Sequence, residues 1–257
     1  MGPKNNRLFR ANQWWGRLFS VTKLRSNNYE VVRGIWKSIA VPSLMYGMET
    51  IPWTMGEINK METIQNKIGR LALGGNRFVG TEAIRGEMGW STFEERIMKS
   101  KLRFKIRIER MDENRWVKKV SQSAGSGSRW MRECSKIVEK CGLFKRWNPN
   151  GEGINEWCLA YSSGDEGTYD EKEWRTLISA KVKEFGLVKW RRGIEGKQTL
   201  ARYSLKVAPR RENFYDGSWG SSLLFKARSG ALELNDRTYR FNPRNTKECE
   251  FGCMVSG

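Results

Sequence analysis

The sequence predicts a mostly α-helical protein, and three observations carry that expectation. Ser or Thr followed three residues later by Glu, the pairing that caps helix N-termini, occurs at Thr54–Glu57, Ser91–Glu94 and Thr168–Glu171. Behind each cap, apolar residues recur at three- and four-residue steps, the period of a helix with one buried face. Runs that alternate apolar and polar residues, the mark of half-buried strands, are scarce throughout.

Taken in order, "YEVVRGIWKSIA" over 29–40 sets Val31, Val32, Ile35, Trp36 and Ile39 on one helical face. Pro42 then marks a break or a fresh first turn. The capping box at Thr54–Glu57 opens a helix carrying Ile58, Met61, Ile64, Ile68 and Leu71, which Gly74-Gly75 ends. "STFE" at Ser91–Glu94 starts the next helix. "SQSAGSGS" at 121–128 is small, polar and flexible, and reads as a linker between 1–120 and 129–257. Beyond it, Trp130, Cys134, Ile137, Val138 and Cys141 share a face, and "RWNPNGEG" reads as a loop. Thr168 caps a helix bearing Trp174, Leu177, Ile178, Val182 and Phe185, and "DGSWGSSLLFKARSGAL" holds a short helix with Gly230 near its end. The 12 Trp stand mostly on apolar stripes, so core packing is their expected role rather than stacking on bases.

Composition narrows the function classes. With 47 Lys+Arg against 28 Asp+Glu, the 257-residue chain carries a formal charge of +19, which suits a polyanionic partner such as RNA or DNA. No membrane association is expected: the basic residues are scattered, no apolar stretch approaches the length of a bilayer span, and the N-terminus lacks the apolar run of a signal peptide. Met1-Gly2 fits the start of a myristoylation motif, but Asn6 stands where Ser or Thr is required. The five widely spaced cysteines read as reduced thiols of an intracellular protein, nuclear or cytoplasmic, with Cys134 and Cys141 as core residues. Zero His removes Ser-His-Asp triads, Cys-His dyads and His-metal sites together. No Asp-Asp doublet exists to hold paired metals, and Asp112-Glu113, Asp165-Glu166 and Asp170-Glu171 read as solvated turns or helix starts. The expectation is a chain with no catalytic site and no cofactor.

The segment "FEERIMKSKLRFKIRIERMDENRWVKKV" is the most informative. Phe93, Ile97, Phe104, Ile108 and Met111 form one stripe, while Arg96, Lys99, Arg103, Arg107 and Arg110 fall on a largely opposite face, with Glu109 the one acid between 96 and 111. Solvated faces mix signs for i,i+4 pairing. A single-sign row at one-turn intervals instead suits a row of backbone phosphates.

Several stretches in order resemble the region downstream of the catalytic palm in reverse transcriptases of non-LTR (LINE-type, jockey-like) retrotransposons. "WKSIAVPSLMYG" and "METIQNKIGRLALG" are similar to the thumb helices, and "RGEMGWSTFEER" to the start of the post-thumb segment. "LLFKARSGALELNDRTYRFNP" followed by "CEFGC" resembles the approach to a Cys-Cys-His-Cys knuckle. The resemblance implies a thumb-like helical bundle over 1–120 followed by a second, mainly helical segment over 129–257. It implies nucleic-acid binding through template-primer or element RNA, and an upstream palm carrying the catalytic Asp-Asp pair. Cys249 and Cys253 would then be half of a zinc site, with three residues between them where the family more often has two; zinc would be bound only in a longer chain. Two alternatives stand beside this: a host-adopted protein-interaction relic, and a thumb subunit of a polymerase acting in trans.

Overall fold

The computed structural model describes residues 3–23, 27–124, 127–143 and 171–232, and among these the chain is mostly helical with no strand. Helix α1 (Pro3–Val21) is followed by α2 (Asn28–Ile35), which runs through one π-helical turn (Trp36–Ala40) into α3 (Val41–Met45). The long helix α4 (Met55–Leu73) and the short α5 (Thr81–Met88) precede α6 (Phe93–Glu109), α7 (Trp116–Ala124) and α8 (Arg129–Lys140). After 171 come α9 (Glu171–Ile194), the single turn α10 (Ala201–Ser204) and α11 (Trp219–Arg228).

The π turn corrects the first predicted stripe. The Val41 N–H donates to the Trp36 carbonyl, five residues back. That wider spacing lets Pro42, which has no N–H and would press on the carbonyl four residues before it, open α3 without breaking the rod. The register slips by one residue, so Tyr29, Val32, Trp36, Ala40 and Leu44 are buried while Ile39 is 54% exposed. Trp36 anchors this row. Its Nε1–H donates to Gln65 Oε1 at 3.3 Å, and its ring meets Trp90 and Phe93 edge-on at 6.4 and 6.3 Å.

The capping box forms as expected: Thr54 Oγ1 accepts from the Glu57 N–H, and Glu57 Oε2 accepts from the Thr54 N–H at 2.8 Å. Four of the predicted α4 residues, Ile58, Met61, Ile64 and Ile68, are buried, and Leu71 packs at the core edge. The cap of α6 sits one residue later than predicted. Thr92, not Ser91, accepts from the N–H three residues on, that of Glu95, at 3.2 Å.

Among the described residues, two clusters of buried side chains result. The larger joins α1 through α5 and the start of α6 to Trp190, Ile194, Leu200, Tyr203, Tyr215 and Phe225. The smaller joins Met98, Leu102 and Ile106 of α6 to Ile137, Val138 and Cys141 of α8 and to Trp174, Ile178 and Val182 of α9. Helices α6 and α9 therefore each enter both clusters. Within the predicted linker 121–128, α7 continues to Ala124 and Ser128 caps α8.

Gly89 shows how the late segment docks. It ends α5 with φ +59, and a Cβ there would lie 2.3 Å from the Arg211 backbone nitrogen. The freed space lets the Glu212 N–H reach the Glu87 carbonyl at 3.1 Å. Beside it the Glu87 side chain is fully buried, bonded to Arg228 Nε at 2.9 Å and within 3.4 Å of Lys206 Nζ.

Candidate nucleic-acid interface

Helix α6 is buried on more sides than its sequence suggests. Phe93, Ile97 and Ile108 of the predicted stripe are buried, but Phe104 and Met111 are only half-buried, and Met98, Leu102 and Ile106 take the α8–α9 side. Two of its lysines are buried as well. Lys101 Nζ donates to the Ile51 carbonyl and to Glu133 Oε2, both at 2.8 Å, and Lys105 pairs with Glu109 one turn on.

What remains open is a groove of about 480 Å³ running along α6 beside Met45 and Glu49, lined by Arg96, Lys99, Arg103 and Arg107 and closed on one side by Arg175 of α9. Phe104 also lines it, with Arg107 lying over the ring at 5.1 Å and Trp130 meeting the ring edge-on at 6.0 Å. Arg103 Nη2 donates to Ser179 Oγ at 3.0 Å, which ties α6 to α9. Among the described residues Glu49 is the one carboxylate in this lining, with Ser100 Oγ 3.4 Å from its Oε2, while Arg175 is ion-paired to Glu171.

The electrostatics follow from that imbalance. Partial burial, and then Arg103, pull the Lys99 pKa below its ordinary value; burial, and then Arg175, do the same to Arg103. These groups disfavour one another's charge, and an anion in the groove would relieve both.

The five predicted contact residues are thus not equivalent. Lys99, Arg103 and Arg107 face the groove together. Arg96 reaches it but is largely committed to the fold: Nη1 donates to Gln65 Oε1 at 2.7 Å, the guanidinium lies over the Phe93 ring at 5.1 Å, and burial lowers its pKa to about 10. Arg110, at the end of the helix, pairs with Glu171 at 3.5 Å and does not line the groove. Arg175 was missed. Nothing local to α6 announces a residue that far along the chain, although its own setting on α9, four residues after Glu171, was readable.

At the N-terminus of α6, Glu62 accepts from the Phe93 N–H, and burial pushes its carboxyl up to about 7. The folded state therefore keeps a proton that the unfolded chain releases, so stability is greatest on the acid side and falls as pH rises from about 4.5 to 7. Glu62→Gln keeps the acceptor and removes the ionisation. Urea midpoints at the two ends of that range are expected to differ less in the variant than in the parent; an unchanged difference would show that Glu62 does not titrate there.

Cys249 and Cys253 lie outside the described residues, as do Thr168 and the "RWNPNGEG" loop. Cys134 and Cys141 are buried, as expected, and burial raises their thiols to about 12 and 11. Among the described residues no three His, Cys, Asp or Glu side chains gather as a metal site, and no helix is long and apolar enough to cross a membrane. Comparison with protein families, with characterised proteins and with solved structures finds no match to this chain.

Proposed function

We propose that the chain binds nucleic acid through its phosphate backbone, seated in the α6–α9 groove, and that it does so as the thumb and post-thumb region of a non-LTR reverse transcriptase. The observation that supports binding most is the groove itself: Lys99, Arg103 and Arg107 line it together with Arg175, which is ion-paired to Glu171, and Glu49 is the one carboxylate in its lining among the described residues. Such a row neutralises consecutive phosphates and reads no base edges, so RNA or DNA would be held with little sequence preference. The polymerase assignment rests on the ordered resemblance of the sequence stretches.

The test is equilibrium binding of mixed-sequence RNA and DNA across a salt titration. Affinity is expected to fall steeply with salt and to be matched by unrelated competitor sequences. Salt-independent binding, or none, would count against the proposal. Given primer-template, nucleotides and Mg²⁺, the protein is expected to extend nothing, because its sequence offers no paired Asp to hold two metals. Extension abolished by replacing one of its five Asp would contradict that.

One observation favours the protein-interaction alternative. Among the described residues, helix α7 buries none of its side chains, and Trp116, Val117 and Val120 are exposed on it. A partner held there would bind with weak salt dependence and would be lost on Val117→Ser/Val120→Ser.

A further inference from the structure

Helix α1 carries a second feature that the groove does not use. Its buried side, with Ala11 and Leu18 fully packed, holds it against the core. On the adjoining side Trp15 and Phe19, one helical turn apart, are 38% and 44% exposed and lie with ring centroids 5.5 Å apart and planes inclined by 18°. Lys23, a further four residues on, reaches back so that Nζ is 5.6 Å from the Phe19 centroid, and Arg17 lies over the neighbouring Trp14 at 5.1 Å. Residues 3–23 contain Lys4, Arg7, Arg10, Arg17 and Lys23 and no acid.

Near-parallel exposed rings flanked by cations make a surface with two complementary parts. The two rings cover one face of each other and Lys23 stands over Phe19, so a base would stack on the outer face of Trp15. Every base has a flat π face for it, and the cations suit the phosphates on either side. A protein partner would need only the apolar part, and a duplex only the charge, since its bases are already stacked on each other. We propose that the Trp15–Phe19 face of α1 stacks the bases of single-stranded nucleic acid, beside a groove that grips backbone alone. The inference rests on the nucleic-acid reading above and adds to it a preference for unpaired strands at a separate place.

The test compares fluorescence anisotropy of a short oligothymidylate with that of an abasic strand of the same length and charge, at one fixed salt concentration. The parent is expected to bind the thymidylate more tightly, by on the order of tenfold to a hundredfold if one base stacks. Trp15→Leu/Phe19→Leu keeps apolar bulk and helix propensity while removing the flat faces. That variant is expected to bind both strands equally, at the affinity the parent has for the abasic strand. Lys99→Gln/Arg103→Gln/Arg107→Gln should weaken both strands by a common factor and leave their ratio intact. Equal binding of the two strands by the parent, or a preference that survives in the Leu variant, overturns the stacking site while the groove reading stands. A parent that binds neither strand nor a duplex overturns both.

Discussion

Replacing Lys99, Arg103 and Arg107 together with Gln is expected to lower nucleic-acid affinity about 100-fold at ~0.15 M salt, and to do so for every sequence alike. The size follows from counterion release, in which each neutralised phosphate contributes about 0.9 to the salt dependence on duplex DNA and about 0.7 on a single strand. These three residues line the groove with Arg175, itself paired to Glu171, and Glu49 is the one acid in the lining among the described residues. Gln preserves length and helix propensity, and Arg103 and Arg107 lie on the exposed side of α6, so circular dichroism should be unchanged. Arg175→Gln alone should take away about one further contact, which separates a groove built by two helices from a single basic helix face. Loss of affinity confined to particular sequences would point instead to base readout.

Lys101→Ala is expected to destabilise the fold by about 3–5 kcal/mol, the usual cost of removing one partner from a buried ion pair. Lys101 Nζ is fully buried and donates to the Ile51 carbonyl and to Glu133 Oε2 at 2.8 Å. Glu133 is itself held by the Trp53 N–H, at 3.1 Å to Oε1. Truncating the lysine leaves a carboxylate and a carbonyl facing a cavity, and unties α6 from α8 and from the turn before α4. Lys101→Met/Glu133→Gln, which removes the unpaired charge as well as the cation, should recover a good part of the loss. Urea denaturation measures both variants. A loss below about 1 kcal/mol for Lys101→Ala would mean that the pair behaves like a solvated surface bridge.

Much of the helical framework was readable because its signals are local. The Thr54–Glu57 box fixes where α4 starts within four residues, and Gly74, at φ +64, fixes where it stops. The apolar period between them needs no knowledge of what it packs against. The displaced cap of α6 marks the limit of that reasoning. Ser91 and Thr92 can both cap, each with a Glu three residues on, and what separates them is distant: Gln65 Nε2 takes the Ser91 carbonyl at 3.2 Å while Glu62 takes the Phe93 N–H. The π turn was hidden for a similar reason. Pro42 signals that something must give, but whether the rod breaks or widens depends on the packing of Trp36 and Ala40.

The candidate site was legible in part. The row of cations along α6 is visible at one-turn spacing over roughly 20 Å of helix. Sequence alone does not tell an open cation from a committed one. Lys101 and Lys105 look like more of the same basic run, yet both are buried against carboxylates, one of them 32 residues away. Arg96 and Arg110 keep the right spacing but are drawn off by Gln65 and Glu171. Arg175 needed the α6–α9 packing to come into view. Helices α6 and α9 each supply side chains to both buried clusters, a long-range arrangement that a small polar stretch at 121–128 does not reveal.

The most direct test of the α6–α9 groove as the phosphate contact is a salt titration of duplex binding, with the parent and the Lys99→Gln/Arg103→Gln/Arg107→Gln variant measured side by side. Plotting log affinity against log salt, the variant line is expected to be flatter by about two to three units, the share of three released phosphates. Parallel lines of equal affinity would contradict the groove assignment, and would return those three cations to the status of a solvated helix face.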